Sequence, residues 1–337
     1  MNLITGATGI VGAHLALQLL KKGEPVKAIK RPSSDINKTL KLFSYYTVNP
    51  KVLFDQIQWI DADICDIYSL LDALDGVDTV YHCAGFVSFN PKHRRDLHKI
   101  NVEGTANVVN ACLEKQVKAL CHVSSIATLQ NPDITENIDE SVYWKSSPQA
   151  SDYAISKYNG EREVWRGIEE GLQAVIVNPG VIISAGHWNQ SSGKIIHNCY
   201  NGTSFYTNGS TGTIDARDVV SCMIQLRQKQ QFGHRYVLTE NNHTFKEIIS
   251  TYQTHFGKKA PHIDAGKWLL KLAAFADRLS CWFTGKERRL TPAAVHAALE
   301  KNTFNNQKIK NTLNYQFIPL QDSASFVCKA YLNDLKQ

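Results

Sequence analysis

The chain has 337 residues, of which 43% are hydrophobic and 20% charged, and carries a formal net charge of +6. That is an ordinary globular composition, long enough for one large α/β domain or for a nucleotide-binding domain with a smaller companion. No apolar run approaches the about 20 residues of a membrane-spanning helix, and no block of lysine or arginine exceeds two residues, which argues against a membrane span and a nucleic-acid partner.

The first residues, Met1-Asn2-Leu3-Ile4, enter a strand directly and leave no room for a signal peptide. The eight cysteines are scattered, without Cys-x-x-Cys or the short Cys/His spacing of a zinc site. The expectation is a cytoplasmic protein with reduced thiols and no bound metal. The stretch Thr5-Gly6-Ala7-Thr8-Gly9-Ile10-Val11-Gly12 follows, and then leucines and alanines at helical spacing from Ala13 to Leu20. The glycines therefore sit at a strand-to-helix turn. They let the backbone approach a ligand closely, while the free N–H groups of the helix N-terminus attract a pyrophosphate. The pattern predicts a dinucleotide cradle, although its Gly-x-x-Gly-x-x-Gly spacing differs from Gly-x-Gly-x-x-Gly.

Strand two, Pro25 to Ile29, ends in Lys30-Arg31-Pro32-Ser33-Ser34. In dinucleotide folds this tip meets the adenosine ribose, where an acid accepts the 2′-hydroxyl of NAD and an arginine pairs with the 2′-phosphate of NADP. The tip here is basic: Arg31 is placed to grip a phosphate, and Lys38 adds charge a turn or two further on. Strand three, Ile57 to Ile60, leaves Asp63 and Ile64 at its carboxyl end, with Asp66 as N-cap of the next helix. Strand four, Val77 to His82, ends in Cys83-Ala84-Gly85-Phe86-Val87, small residues and then apolar ones. A helix carrying Asn101 follows, and strand five, Val117 to Val123, delivers Ser124-Ser125 to the same rim. Ser151 opens a capped helix, and strand six, Leu172 to Val177, ends in Asn178-Pro179-Gly180-Val181.

This alternation predicts an α/β fold: a Rossmann-type, doubly wound parallel sheet with a smaller, mostly helical C-terminal substrate lobe. We place the dinucleotide-binding domain at residues 1–180 and the substrate lobe at 181–337, with some of its segments returning to the sheet. The apolar stretch Trp268 to Phe283 contains Lys271, Asp277 and Arg278, and reads as a packed or lid helix over a pocket rather than a membrane-surface helix.

Tyr153 and Lys157 are four residues apart on one helix, so they share a face. An ammonium beside a phenol favours the phenolate and brings it toward working pH, so the pair is a candidate general acid/base. Ser125 is placed to orient a substrate carbonyl, and Asn101 to hold a water that resupplies the proton through Lys157. Taken singly, Ser125 also reads as a turn residue and Asn101 as a helix cap; with the glycine turn they converge on one site. No Gly-x-Ser-x-Gly elbow is present for Ser-His-Asp hydrolysis.

Thr5 to Gly12, Asp63-Ile64, His82 to Gly85, Asn101 to Thr105, Ser124-Ser125, Tyr153-x-x-x-Lys157, Asn178 to Gly180 and Asp215 to Val219 together resemble an extended short-chain dehydrogenase/reductase over nearly the whole chain. Within that superfamily the sequence is similar to the dihydroflavonol-4-reductase-like and 3β-hydroxysteroid-dehydrogenase-like branch, with Asp139 to Trp144 part of the likeness. The resemblance implies Tyr153 as acid/base, Lys157 as its tuner and ribose ligand, Ser125 as carbonyl orienter and Asn101 as relay. It further implies Gly6, Thr8, Gly9, Ile10, Val11 and Gly12 around the pyrophosphate, Asp63 and Ile64 at adenine, Ala84 and Gly85 along the cofactor, Pro179 and Val181 beside nicotinamide, and Arg31 with Lys38 at a 2′-phosphate. Ile126-Ala127-Thr128 after Ser125 replaces the Asp-Glu of sugar-nucleotide dehydratases, and Leu129-Gln130-Asn131 replaces the Val-Tyr-Gly of many epimerases.

The expected activity is NADP-dependent hydride transfer, in preference to NAD, to or from a carbonyl or secondary alcohol of a fairly apolar small molecule. Phe86, Val87, Phe89, Trp188 and the 268–283 helix are the pocket candidates. The alternative is a nucleotide-sugar epimerase or reductase, with Arg217 or Arg288-Arg289 clamping a diphosphate. A cofactor-sensing protein without turnover is disfavoured by retention of both Tyr153 and Lys157. A homodimer is the oligomeric state considered.

Overall fold

The computed structural model describes residues 1–189, 192–284 and 291–336, so Arg288 and Arg289 lie outside the described residues. Strands β1 (Asn2–Thr5), β2 (Val26–Lys30), β3 (Gln58–Asp61), β4 (Thr79–His82), β5 (Ala119–Val123) and β6 (Ala174–Pro179) alternate with helices α1 (Ile10–Lys21), α2 (Asn37–Tyr46), α3 (Pro50–Phe54), α4 (Ile67–Ala73), α5 (Arg94–His98), α6 (Gly104–Glu114) and α7 (Asp152–Glu169). After β7 (Val181–Ile183), α8 (Gly193–Asn201), β8 (Phe205–Tyr206), β9 (Ser210–Asp215) and α9 (Ala216–Gln228), a further strand, β10 (His234–Leu238), returns to the first sheet. The chain finishes with β11 (Asn241–Thr244), α10 (Phe245–His255), β12 (Ile263–Asp264), α11 (Lys267–Thr284), α12 (Pro292–Ala297), α13 (Gln307–Leu313) and α14 (Leu320–Asp334).

The main sheet has seven strands in the order β10-β6-β5-β4-β1-β2-β3, every pair parallel. This is the Rossmann-type α/β fold read from the alternation of strands and helices. Its strands are buried on both faces, which is why every residue of β5 and β6 is buried and their apolar residues do not alternate with solvated ones. Ile4, Val175 and Val177 meet Leu15, Leu19, Val220 and Met223 of α1 and α9 on one face. Leu3, Val80, Leu120 and Ile176 meet Val108, Val109 and Val164 of α6 and α7 on the other. Strand order reverses between β1 and β4, and at that switch point the loops diverge and leave a crevice at the carboxyl ends.

A second core lies beyond this sheet. Ile196 and Cys199 of α8, Ile248 and Tyr252 of α10, and Val327, Cys328 and Tyr331 of α14 pack together beside the small sheet β11-β9-β7. Ile309 and Leu313 of α13 instead join the core of the main sheet.

One local feature departs from the helix expected around Asn101. Between α5 and α6, residues Lys99–Glu103 form a π-helical turn, so three segments run on as one interrupted helix. Such bulges recur at functional sites because the wider coil re-aims a side chain. Here α7 crosses the bulge at Gly160, where an added Cβ would stand 2.1 Å from the Asn101 carbonyl oxygen. Gly160→Ala should therefore cost about 1–3 kcal/mol of stability, as overpacking of a close backbone contact does. Chemical denaturation checks this, and an unchanged midpoint would show that the two helices separate freely.

Candidate active site

The glycine turn is built against β4. Gly6 has φ +69, and a Cβ there would lie 2.6 Å from the backbone nitrogen of Ala84, so the left-handed backbone and the close approach both require glycine. Thr5 Oγ1 accepts from Ala84 N at 3.1 Å and lies 2.7 Å from His82 Nδ1. Burial lowers the His82 pKa to about 3, so the ring is neutral. With Thr5 accepting from Ala84, its own proton goes to Nδ1, which leaves the ring proton on Nε2 for Thr105 Oγ1 at 3.0 Å; Thr105 in turn donates to Asn101 O at 2.8 Å. A chain of hydrogen bonds thus runs from the glycine turn to the π-helical turn.

Gly9 is the N-cap of α1, and no side chain caps that helix. Its first-turn N–H groups are left for a ligand, and Gly6, Thr8, Gly9, Ile10 and Val11 line a cleft of about 2720 Å³. These are features a pyrophosphate fits. Gly12 does not line the cleft: it packs behind the turn, where a Cβ would stand 2.3 Å from Gly6 O, so its part is to seat α1 against the loop.

Along the cleft, Arg31 and Lys38 sit beside Ser33, Ser34 and Asp35, while Asp63, Ile64, Ala84 and Gly85 form the adjoining wall. Lys30 is held by Asp61 at 2.5 Å, whereas Arg31 is exposed and pairs with no carboxylate among the described residues. Asp63 Oδ1 accepts from Cys65 N at 2.9 Å, which fixes the loop below. Val181 lines the cleft; Pro179 is buried and does not.

Tyr153 and Ser125 meet at the rim, where the serine hydroxyl neighbours the phenol and favours its ionised form. Ser125 is fixed from three sides: its Oγ accepts from Ala127 N at 3.2 Å, and its carbonyl accepts from Thr128 Oγ1 at 2.9 Å and Asn178 Nδ2 at 3.2 Å. The expected ammonium effect on the phenol is corrected here. Burial raises the Tyr153 pKa, and what opposes it is the neighbouring Ser125 hydroxyl. Lys157 instead donates to Val123 O at 2.8 Å and is itself lowered to about 8 by burial. Asn101 is neither a cap nor free: its Nδ2 donates to Phe86 O and Ser156 Oγ, both at 2.9 Å, and its Oδ1 accepts from Phe86 N at 2.8 Å. Both amide protons being committed, a water could bond only to the remaining lone pair of Oδ1.

Reading the sequence missed the support beneath this pair. Glu161, buried on α7, accepts from Ser124, Thr128 and Asn178 and forms an ion pair with Arg235 of β10 at 3.0 Å. Glu161 stands four residues after Lys157 and eight after Tyr153, so helical spacing carried a signal.

On the substrate side, Phe86, Val87, Phe89 and Trp188 line the cleft, and the Phe89 ring lies 5.7 Å from that of Tyr153. Among its described side chains α11 contributes Asp277 and Cys281, whereas Trp268, Leu272 and Phe275 are 81%, 66% and 66% exposed, because they lie on the opposite side of the helix; the side chains of Trp282 and Phe283 lie outside the described residues. Arg217 is not a phosphate clamp. Its guanidinium is bidentate to buried Asp215, at 2.8 and 2.7 Å, and stacks over Phe326.

Residues 2–239 match the NAD dependent epimerase/dehydratase family, to which this chain belongs. It is therefore an NAD(P)-dependent enzyme with oxidoreductase chemistry. Over 267 residues it is 30% identical to sterol demethylase protein B of Methylococcus capsulatus, covering 78% of this chain and 76% of that protein. Cinnamoyl-CoA reductase 1 of Petunia hybrida is 26% identical over 71% of this chain and 72% of its own length. Among solved structures, gox2253 superimposes with a TM-score of 0.81 at 25% identity, over 99% of this chain and 98% of that one. The UDP-glucose 4-epimerase of Thermus thermophilus, solved with NAD, gives 0.72 at 16% identity over 98% of both and so shares the fold.

The depressed Lys157 has a measurable signature. The unfolded chain carries a lysine titrating near 10.5 and the native state one near 8, so between those values the unfolded state binds the extra proton and this group's contribution to stability rises with pH. Wild type should gain about 3 kcal/mol more than Lys157→Met between pH 8 and 10.5. Parallel urea titrations of the two proteins test it; identical pH dependence would refute the buried-cation assignment.

Proposed function

We propose that this protein is an NADP-preferring reductase or dehydrogenase acting on a carbonyl or secondary alcohol of a fairly apolar small molecule. When bound, the nicotinamide supplies or receives the hydride. Tyr153 holds the proton that the carbonyl oxygen gains, Ser125 hydrogen bonds that oxygen and keeps the phenol aligned, and Lys157, set beneath Gly85, orients the cofactor ribose. Asn101 holds the Phe86 loop and leaves one lone pair of Oδ1 for a relay water. Gly6, Thr8, Gly9, Ile10 and Val11 hold the pyrophosphate, and Asp63 with Ile64 meets adenine.

The observation that carries the reading is the Tyr153–Ser125 hydroxyl pair facing a wall of Phe86, Val87 and Phe89 in one cleft. Reductase names among the relatives point the same way. Lys194 lines the far side of the cleft and favours the nucleotide-sugar alternative, as do neighbours such as the UDP-glucose 4-epimerase. The test is NADPH oxidation with a panel of aromatic and alicyclic ketones and aldehydes, beside UDP-sugar binding and epimerisation. Turnover of a ketone that falls 100-fold or more in Tyr153→Phe, with cofactor binding retained, is expected of positioned proton transfer. Micromolar UDP-sugar binding with no ketone turnover would establish the alternative.

Arg31, exposed at the cleft edge without an acid partner among the described residues, carries the cofactor preference. A charge-assisted contact to the 2′-phosphate contributes about 1.5–3 kcal/mol, so Arg31→Ala should weaken NADPH binding roughly ten- to hundredfold and leave NADH nearly unchanged. Calorimetric titration of both cofactors decides this, and equal affinities in the wild type would remove the preference.

A further inference from the structure

The solvent side of α11 is organised as if for a second, non-aqueous phase. The helix has 18 residues, and at 100° per residue its cleft side holds Leu270, Ala273, Ala274, Asp277 and Cys281, none of them fully exposed. Its outer side divides into two sectors. Phe275, Trp268, Leu272 and Leu269 form one apolar arc, 40–81% exposed, and Lys267, Arg278 and Lys271 form a basic arc along its edge. Lys271 Nζ lies 5.4 Å over the Trp268 ring, bringing cation and indole to the same level. The strand pair just before the helix continues the apolar character, with Phe205 and Ile263 50% and 39% exposed.

Large exposed apolar side chains on a helix edge are costly in water and mark an interaction surface. Among the described residues no helix is long and apolar enough to cross a membrane. We propose that α11 is an interfacial helix that docks this protein on an anionic lipid surface, with Trp268, Leu272 and Phe275 entering the headgroup–acyl boundary and Lys267, Lys271 and Arg278 pairing with lipid phosphates. Aromatic and leucine side chains beside a basic band are the composition such helices carry. Charge complementarity selects this occupant over a second copy of the chain, since an antiparallel two-fold contact through this face would bring the two basic arcs together. An arc of four large side chains also falls short of the ~800 Å² per partner that a stable dimer buries. The same helix lines the cleft with Asp277 and Cys281, so docking would set the cleft's outer wall against the bilayer. This inference does not depend on the reaction proposed above.

The experiment is co-sedimentation of the full chain with large vesicles of phosphatidylcholine, with and without phosphatidylglycerol. Wild type is expected to bind the anionic vesicles selectively and to release on raising salt. At about 1 kcal/mol per cation near an anionic surface, Lys267→Ala/Lys271→Ala should weaken binding roughly 30-fold. Trp268→Glu/Leu272→Glu should abolish it while the thermal midpoint stays at the wild-type value, because neither side chain is buried. Absence of wild-type binding, or double variants that bind like wild type, would overturn the proposal. So would a concentration-dependent dimer in sedimentation velocity that Trp268→Glu/Leu272→Glu dissolves, which would give the face to a second copy.

Discussion

The buried ion pair between Glu161 and Arg235 is the constraint on which the site's geometry rests. Glu161 Oε2 accepts from Ser124 at 2.6 Å and from Thr128 and Asn178 at 2.8 Å, while Oε1 accepts from Arg235 at 3.0 Å and Trp165 at 3.3 Å. Arg235 spends its other donors on Glu140 O and Val142 O. One carboxylate therefore joins the ends of β5 and β6 to α7, and the guanidinium adds β10 and the stretch before the Tyr153 helix. A buried charge is tolerated only when so fully bonded, and removing either partner of such a pair costs about 3–5 kcal/mol. With α7 held at Glu161, the positions of Lys157 and Tyr153, one and two turns earlier, follow from helix geometry.

A second network carries the neighbouring edge. The chain Ala84–Thr5–His82–Thr105–Asn101 binds the glycine turn to the π-helical turn, and Asn101 then clasps the Phe86 backbone. This second network reaches α7, the helix that carries Glu161, at Ser156, which accepts from Asn101 and donates to Tyr153 O at 2.8 Å. Between them stand groups that lower stability where they lie: Lys157 buried with its pKa depressed, half-buried Tyr153 with its pKa raised, and His122 with both ring nitrogens unpartnered among the described residues. Unfavourable burial concentrated at one rim, and supported on both sides, is how a fold keeps reactive groups oriented.

How much of this was legible follows from how local each signal is. The glycine turn, the strand tips and the caps at Asp66 and Ser151 are short-range patterns, and the structure carries each cap where it was read. Glu161 sat at a helical spacing from Tyr153 but reads as solvated, because its partner is 74 residues away and arrives only when β10 pairs with β6. The π-helical turn has no local signature, since α7 imposes it through Gly160. Arg217 looks the same in sequence whether it clamps phosphate or pairs with Asp215. The apolar content of the 268–283 helix was plain, yet which side faces the cleft is decided by the rest of the fold, and it turned Trp268 outward.

The division of labour between the two cores bears on how such an enzyme changes substrate. Ser125, Tyr153, Lys157 and Asn101 are held by β4, β5, β6, β10, α6 and α7, and no hydrogen bond to them comes from α8, α10, α11 or α14 among the described residues. The far wall of the cleft, with Trp188, Lys194 and Ile195, belongs to the second core. That core is anchored at Asp334, which accepts from Trp188 Nε1 at 2.8 Å, pairs with Lys41 at 2.7 Å and bonds Tyr45 of α2. Helix α2 begins just after the Arg31 loop, so this wall is tied to the Arg31 end of the cleft and not to Tyr153 and Ser125. Substitutions in α8 or α14 can then reshape the pocket with the arrangement of Ser125, Tyr153 and Lys157 left intact, because the networks that set that arrangement do not pass through them.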